Sequence, residues 1–203
     1  MVARLLSIAA LAVAFIAPLP VRAQAEAPDA LVKRVSSDVL DAVRADKSIQ
    51  SGDVRKVVAL VDAKVLPSFD FARMTASAVG PAWAKATPDQ QGRLQDEFKI
   101  LLVRVYSGAL AQGTDRTLEV KPLRDAGGKE VVVRTEIRGN GDTIPMNFRL
   151  ENADSVWKIY DVNISGIWLV DNYRNTFASE INAGGVDGLI AKLKDKNKSN
   201  AAR

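Results

Sequence analysis

The clearest structural signal in this 203-residue chain is the stretch VVVRTEIRGNGDTIPMNFRL, residues 131–150. Apolar and polar residues alternate with period two on both sides of Gly139-Asn140-Gly141-Asp142, which has the composition of a tight hairpin turn. The shared apolar faces carry Val131, Val133, Thr135 and Ile137 on one side of the turn, and Ile144, Met146, Phe148 and Leu150 on the other. The stretch therefore predicts two antiparallel strands with one common apolar face.

Two neighbouring segments extend this sheet. Residues 117–123 predict a strand before the hairpin, and the segment from Trp157 to Ile164 predicts one after it. In the later strand, Trp157 and Ile159 share one parity, whereas Val162 and Ile164 share the other. A change of parity near Tyr160-Asp161 indicates a β-bulge, which bends a sheet and makes it concave.

Helical spacing dominates before residue 113 and after residue 171. Thr87-Pro88-Asp89-Gln90 has the composition of a helix start with a capping box. We expect helices with these apolar faces: Leu31, Val35, Val39 and Val43; Val54, Val57, Val58, Val61 and Val65, ended by Pro67; Phe71 and Met74, capped by Asp70 and ended by Gly80-Pro81; and Leu94, Phe98, Leu101, Leu102, Val105 and Tyr106. Two closing helices, about 172–182 and 186–196, are separated by Gly184-Gly185.

These elements predict an α+β fold in which a bent antiparallel sheet of about four to five strands packs against helices. Each apolar stripe taken alone is explained by core packing. As a set, a concave sheet and a facing long helix can enclose an apolar cavity. The residues expected to line it are Trp83, Phe98, Leu102, Val105, Tyr106, Val133, Ile137, Ile144, Met146, Phe148, Val162, Ile164 and Trp168.

The N-terminus has the pattern of a secretory signal peptide. Arg4 precedes an apolar run from Leu5 to Ala17, and Val21-Arg22-Ala23 has small or short residues at the positions that a signal peptidase requires. The run is shorter than the roughly 20 residues that a membrane-spanning helix needs. We therefore expect a cleaved signal peptide over residues 1–23, with cleavage after Ala25 equally compatible, and a single exported domain over residues 24–203.

Composition limits the chemistry that the chain can perform. It contains no histidine and no cysteine, which excludes Ser-His-Asp and Cys-His catalysis and the usual zinc and copper ligands. Loss of Arg4 and Arg22 with the signal peptide lowers the formal charge from +4 to +2, and much of the remaining basic charge lies in a C-terminal tail from about residue 192. We expect a monomer that binds no nucleic acid, needs no cofactor and is not an enzyme.

Two other classes of protein remain compatible with these residues. One is a small-molecule isomerase or hydrolase on a cone-shaped fold, with Asp161 as base and Tyr160 or Tyr106 as proton donor. Neighbouring strand residues point to opposite faces, so Asp161 and Tyr160 address one ligand only if the bulge realigns them. The other class is a periplasmic interaction module with a closed core.

An ordered set of short motifs resembles the MlaC family, the toluene-tolerance auxiliary component of an ABC transport system. The likeness extends from about Asp29 to Leu193. The motifs are Val61-Asp62, Val65, Pro67, Asp70-Phe71, Met74-Thr75, Val79-Gly80, Trp83, Ala86-Thr87-Pro88-Asp89-Gln90, Phe98, Leu101-Leu102-Val103, Trp157-Lys158-Ile159-Tyr160-Asp161-Val162, Gly166, Asn172-Tyr173-Arg174, Phe177, Gly185 and Asp187-Gly188-Leu189-Ile190. Ile167-Trp168 departs from the pattern, which has smaller residues after the glycine.

The resemblance implies a cone similar to the nuclear-transport-factor-2-like fold. It also implies a periplasmic phospholipid carrier that maintains outer-membrane lipid asymmetry. The implied partners are an outer-membrane lipoprotein–porin complex and an inner-membrane ABC transporter with an MCE-domain subunit.

Overall fold

A computed structural model describes residues 26–123, 128–139 and 141–199 of the chain. Within these ranges the chain forms six α-helices and five β-strands. The helices are α1 (Pro28–Ala45), α2 (Lys47–Gln50), α3 (Val54–Leu60), α4 (Phe71–Val79), α5 (Pro88–Ala111) and α6 (Leu169–Ser199). The strands are β1 (Thr117–Val120), β2 (Glu130–Gly139), β3 (Asp142–Ala153), β4 (Val156–Ile164) and β5 (Ile167–Trp168). The predicted signal peptide lies outside the described residues.

The strands form one antiparallel sheet in the order β1-β2-β3-β4-β5, so the prediction of an α+β fold with an antiparallel sheet is confirmed. Gly139 pairs with Asp142 across the hairpin turn, as the composition of the turn predicts. β1 ends at Val120, earlier than the expected residue 123, although Lys121 N still donates to Arg134 O of β2 at 2.9 Å.

The predicted bulge is present in β4. Arg149 of β3 pairs with Asp161, and the next residue, Leu150, pairs with Ile159. Tyr160 is therefore the extra residue, and its insertion allows Ile159 and Val162 to face the same side of the sheet. This single-residue insertion is the cause of the parity change that the sequence shows.

Local capping defines the starts of the helices that flank the sheet. The Thr87 side chain accepts a hydrogen bond from Gln90 N, and the Gln90 side chain accepts one from Thr87 N, which completes the predicted capping box. The Asp70 carboxylate accepts from Arg73 N at 2.8 Å and caps α4. These contacts satisfy N–H groups that have no partner inside the helix.

The segment between α3 and α4 changes helix type twice. A π-helical turn, Val61–Val65, follows α3 directly, and a 3-10 turn, Leu66–Ser68, follows that. Phe69 is then extended and forms a parallel bridge with Ile159 on the free edge of β4. A hydrogen bond from Asp70 N to Ile159 O, 2.8 Å long, strengthens this attachment of the helical layer to the sheet.

Two separate apolar clusters form the interior. The larger lies between the sheet, α4, α5 and α6 and contains Phe98, which is 0% exposed. Phe98 makes edge-to-face contacts with Tyr173 and Phe177 of α6, with both centroid distances 5.1 Å. The smaller cluster joins α1, α2, α3 and α5 through Val43, Ile49, Val57, Leu60 and Val103.

The last helix has a break where the sequence predicts one. Gly185 adopts φ 67° and ψ −168°, so α6 consists of two helical parts. The C-terminal lysines, expected in a basic tail, are exposed, but the segment up to Ser199 is helical. It is anchored on α5 through buried Leu193 and through Asn197, whose amide donates to Glu97 O at 2.9 Å.

No helix among residues 26–123, 128–139 and 141–199 combines the length and the apolar character that crossing a bilayer requires.

Replacing Phe98 by alanine tests the role of the aromatic cluster. We expect Phe98→Ala to lower the free energy of unfolding by about 3–5 kcal/mol, because it empties a packed site at the α5–α6 junction. Val105 of the same helix is 49% exposed, and Val105→Ala should change stability by about 0.5 kcal/mol or less. Urea unfolding of both variants measures the difference, and equal losses would contradict this division of the helix.

Candidate functional site

A large apolar cavity lies between the concave face of the sheet and the helices. Its volume is about 620 Å³, within the roughly 300–1,000 Å³ typical of ligand pockets. Its walls come from α1, α3, the π-helical and 3-10 turns, α4, α5, the start of α6 and strands β2, β3 and β4. The lining residues are Leu40, Val57, Val61, Val65, Leu66, Phe69, Phe71, Met74, Lys99, Leu102, Val103, Tyr106, Ser107, Ala109, Leu110, Gln112, Gly113, Arg116, Ile137, Asp142, Ile144, Met146, Val162, Ile164 and Leu169.

The lining residues differ in exposure from one end of the cavity to the other. At one end Phe71 contacts the ring of Phe98 at a centroid distance of 5.9 Å, and we infer that the aromatic cluster forms the floor. The exposed lining residues Ala109, Gln112 and Asp142 all belong to the other end, where α5 ends and the β2–β3 hairpin turns. That end is therefore the mouth.

Burial shifts the pKa values of two tyrosines at the cavity and its floor. Burial raises the pKa of the Tyr106 phenol, which lies in the wall. Behind the floor, burial also raises the pKa of Tyr173 to about 12. Both shifts have the sign expected where an ionised phenolate would be poorly solvated.

Seven of the thirteen residues that the sequence predicts for the cavity line it. They are Leu102 and Tyr106 on α5, and Ile137, Ile144, Met146, Val162 and Ile164 on the sheet. On β2 and β3 these residues lie in the half of each strand next to the hairpin turn. The concave face of the sheet therefore borders the cavity only along this half.

The other six predicted residues lie outside the cavity. Phe98, Val133 and Phe148 are buried in the larger apolar cluster, because helices and sheet pack closely at that end. Val105 is on the outer surface of α5. Trp83 packs at the edge of the cluster, in a 3-10 turn before α5, and Trp168 of β5 lies under Arg149, whose Cζ is 3.8 Å from the ring centroid.

Sequence reasoning missed the wall contributed by the helical layer. Val57, Val61 and Val65 recur at intervals of four and were predicted to be one helical stripe, but nothing in that stripe distinguished a cavity wall from core. Lys99, Arg116 and Asp142, the charged members of the lining, were also missed. Each belongs to an ion pair formed by residues far apart in the sequence: Lys99 with Asp62 at 3.0 Å, and Arg116 with Asp142 at 2.7 Å.

Asp161, the carboxylate considered as a catalytic base, is not among the lining residues. It is fully buried at the bulge, where it accepts hydrogen bonds from Val162 N at 2.9 Å and from Val170 N, at the start of α6, at 3.1 Å. Arg149 Nη1 lies 3.0 Å from its other oxygen. Burial raises the pKa of Asp161 in spite of these partners. Its contacts indicate that it joins β4 to α6.

The candidate proton donors are separated from this carboxylate. The Tyr160 hydroxyl donates to Glu130 at 3.2 Å, and the Arg73 guanidinium covers its ring at 3.7 Å. Tyr106 lies in the cavity wall. The bulge therefore does not bring Asp161 and either tyrosine to one ligand position.

The sequence profile of the MlaC protein family matches residues 33–195, which is more than half of the chain. The chain belongs to the MlaC family. This match confirms the family resemblance that the ordered motifs indicate. The cavity described above therefore belongs to a member of the MlaC family.

Individual relatives extend over the same region. Toluene tolerance protein ttg2D of Pseudomonas putida is 27% identical over 181 residues, which cover 84% of this chain and 84% of that protein. The intermembrane phospholipid transport system binding protein MlaC of Haemophilus influenzae is 19% identical over 172 residues, covering 82% and 80%. A solved structure of a phospholipid-binding protein from Ralstonia solanacearum, in complex with a phospholipid, is similar with a TM-score of 0.83. That protein is 42% identical, and the match covers 86% of this MlaC-family chain and 99% of the solved one.

Two substitutions of Asp161 test its structural role. Asp161→Ala leaves two buried N–H groups without an acceptor, which should cost about 1–3 kcal/mol of unfolding free energy. Asp161→Asn retains an acceptor oxygen and should cost less. Urea unfolding at neutral pH compares the two variants, and an alanine variant as stable as the original protein would contradict the role.

The pH dependence provides a second readout. Because the pKa of Asp161 is raised in the folded state, the folded chain binds a proton at pH values where the unfolded chain does not. The stability of the original protein should therefore rise relative to Asp161→Asn as pH falls through that raised pKa. A stability difference that does not change on acidification would contradict the shift.

Proposed function

We propose that this chain is a periplasmic phospholipid carrier that holds acyl chains in the cavity and moves lipid between the outer and inner membranes. The observation that carries the proposal is the apolar cavity, closed by the aromatic floor and open at the hairpin turn. The family membership and the phospholipid complex of the Ralstonia solanacearum relative support the same conclusion.

The size of the cavity suits an acyl chain. Its lining residues on α5 run from Lys99 to Leu110, and at 1.5 Å per residue this is roughly 16 Å. One leaflet supplies about half of the 30 Å hydrocarbon core of a bilayer, or about 15 Å of acyl-chain depth. A tail inserted from the mouth therefore reaches the floor at about the depth that it occupies in one leaflet.

The energetics of transport explain why such a cavity is needed. Two acyl chains of about sixteen carbons, at about 0.8 kcal/mol per CH₂, would cost about 25 kcal/mol to expose to water. A carrier avoids this cost by replacing the apolar interior of one membrane with its own. Because the exchange is between similar environments, loading and release can both be reversible.

The location and partners form part of the proposal. The first 23 residues have the pattern of a cleaved signal peptide, which would place residues 24–203 in the periplasm. We expect loading and release to involve an outer-membrane lipoprotein–porin complex and an inner-membrane ABC transporter with an MCE-domain subunit.

Catalysis is not part of the proposed function. The residues that could be assigned to acid–base chemistry lie in different places: Asp161 at the start of α6, Tyr160 against Glu130, and Tyr106 in the cavity wall. A carrier needs apolar surface area and an opening through which lipid can enter, and the cavity supplies both.

Native mass spectrometry of protein purified without detergent tests the proposal directly. We expect glycerophospholipid bound in near-stoichiometric amounts, and solvent extracts of the same sample should identify its headgroups. Protein that is free of lipid, and that takes up none from vesicles, would contradict the proposal.

A charge placed in the cavity wall should reduce lipid loading without unfolding the protein. Met146 borders the cavity on the concave face of the sheet, and Met146→Asp puts a short carboxylate among the acyl chains, where it would be poorly solvated. Lipid content per protein, measured by mass spectrometry, should fall several-fold.

The matched control is Val132→Asp on β2. Val132 is 40% exposed and lies on the opposite face of the same sheet, so the control has the same charge and the same unfavourable strand propensity. It should load lipid normally. If the two variants load equal amounts of lipid and have equal melting temperatures, Met146 does not belong to the part of the wall that binds lipid.

A further inference from the structure

The charged residues of the cavity lining occupy two different positions. Lys99 lies on the flank, where its ammonium reaches Asp62 on the π-helical turn. Arg116 lies at the mouth, where its guanidinium pairs with both carboxylate oxygens of Asp142, at 2.7 and 3.3 Å. Only the second pair stands where a ligand enters.

Arg116 is held firmly in this position. Its side chain is only 10% exposed, and its carbonyl accepts a hydrogen bond of 2.6 Å from Arg44 of α1. Gly139 at the hairpin turn passes so close that a Cβ there would lie 2.7 Å from Asp115 O and 3.0 Å from Arg116 Cγ. A buried arginine at the rim of an apolar cavity is costly, and tail binding alone does not require it.

The two members of the pair differ in accessibility. The Asp142 side chain is 54% exposed, whereas the Arg116 side chain is 10% exposed. Both residues line the cavity, and only Nη1 and Nη2 of Arg116 are bonded to this carboxylate. The contact with Arg116 lowers the pKa of Asp142, so the carboxylate is ionised at neutral pH. The mouth therefore presents a fixed cation next to a solvent-accessible anion.

We propose that the Arg116–Asp142 pair is a headgroup site for a zwitterionic, amine-bearing phospholipid, with the phosphate on Arg116 and the ammonium on Asp142. The proposal rests on the proposed carrier function and adds a headgroup preference to it. The guanidinium has five N–H donors in a planar fork. The contacts to Asp142 leave donors available for a phosphate, which the fork binds in a bidentate geometry.

The orientation of the lipid follows from this assignment. With the phosphate at Arg116, the tails extend along α5 towards Phe71 and the aromatic floor. The ammonium of the headgroup then lies on the solvent side of the phosphate, within reach of the exposed carboxylate of Asp142. A lipid with a glycerol headgroup has the same phosphate but no cation to offer this carboxylate.

Competition between two lipids tests the headgroup site. Protein stripped of lipid is incubated with vesicles of equal parts phosphatidylethanolamine and phosphatidylglycerol, and the bound lipids are quantified by mass spectrometry. The original protein should be enriched in phosphatidylethanolamine. Asp142→Asn should lower the ratio of ethanolamine to glycerol lipid about two- to fivefold, the range for an exposed ion pair, without loss of total lipid.

Arg116→Gln should act differently, by lowering the total amount of both lipids, because both carry the phosphate. Arg116→Lys keeps the charge but not the fork and should restore part of the loading. If the glutamine variant unfolds, the lysine and Asp142→Asn variants still decide the matter, since the latter changes an exposed side chain.

Asp62→Asn is the matched control, because it removes an ion pair away from the mouth and Asp62 itself does not line the cavity. It should leave the lipid ratio unchanged. A lipid ratio that Asp142→Asn leaves unchanged, or that Asp62→Asn shifts as much as Asp142→Asn does, would overturn the headgroup site while leaving the carrier function intact. Protein that binds neither lipid in any form would instead overturn the carrier function itself.

Discussion

The contacts of Phe98 with Tyr173 and Phe177 hold the two longest helices together, and the cavity depends on them. A protein interior normally packs to crystal-like density, so an internal space persists only where rigid elements prevent collapse. The aromatic cluster fixes α5 against α6 at one end, 5.1 Å between ring centroids in both contacts. The bulge at Tyr160 bends β4 between its packed end and the end that lines the cavity. Between them, helix and sheet diverge and leave the cavity.

This divergence explains which parts of the site the sequence could predict. Period-two alternation assigns Ile144, Met146 and Phe148 to one face, and that assignment holds. It contains no information about where along the strand the helical layer separates from the sheet. Met146 therefore lines the cavity, whereas Phe148, two residues further, is packed in the core. The same limit applies to α5, where Phe98 is core and Leu102 is wall.

Features that depend on neighbouring residues were predictable, whereas those that depend on distant partners were not. The capping box at Thr87 is formed by residues three positions apart, and the bulge at Tyr160 is marked by a change of parity within a single strand. The pairs that place charge at the cavity, such as Arg116 with Asp142, join elements that meet only in the folded chain. The sequence around Arg116, just before β1, does not indicate that this side chain is buried. Its position between the end of α5 and the hairpin turn had to come from the structure.

The volume of the cavity ties the stability of the folded chain to its cargo. Cavities cost about 24 cal/mol per Å³ when they stay dry and unfilled, so about 620 Å³ would cost about 15 kcal/mol. That is the upper end of the stability range of native proteins, about 5–15 kcal/mol. A carrier that has delivered its lipid must therefore admit water or contract, and it becomes the form that proteases cut first. The rate at which such a protein is degraded in the cell would then report how often it is without bound lipid.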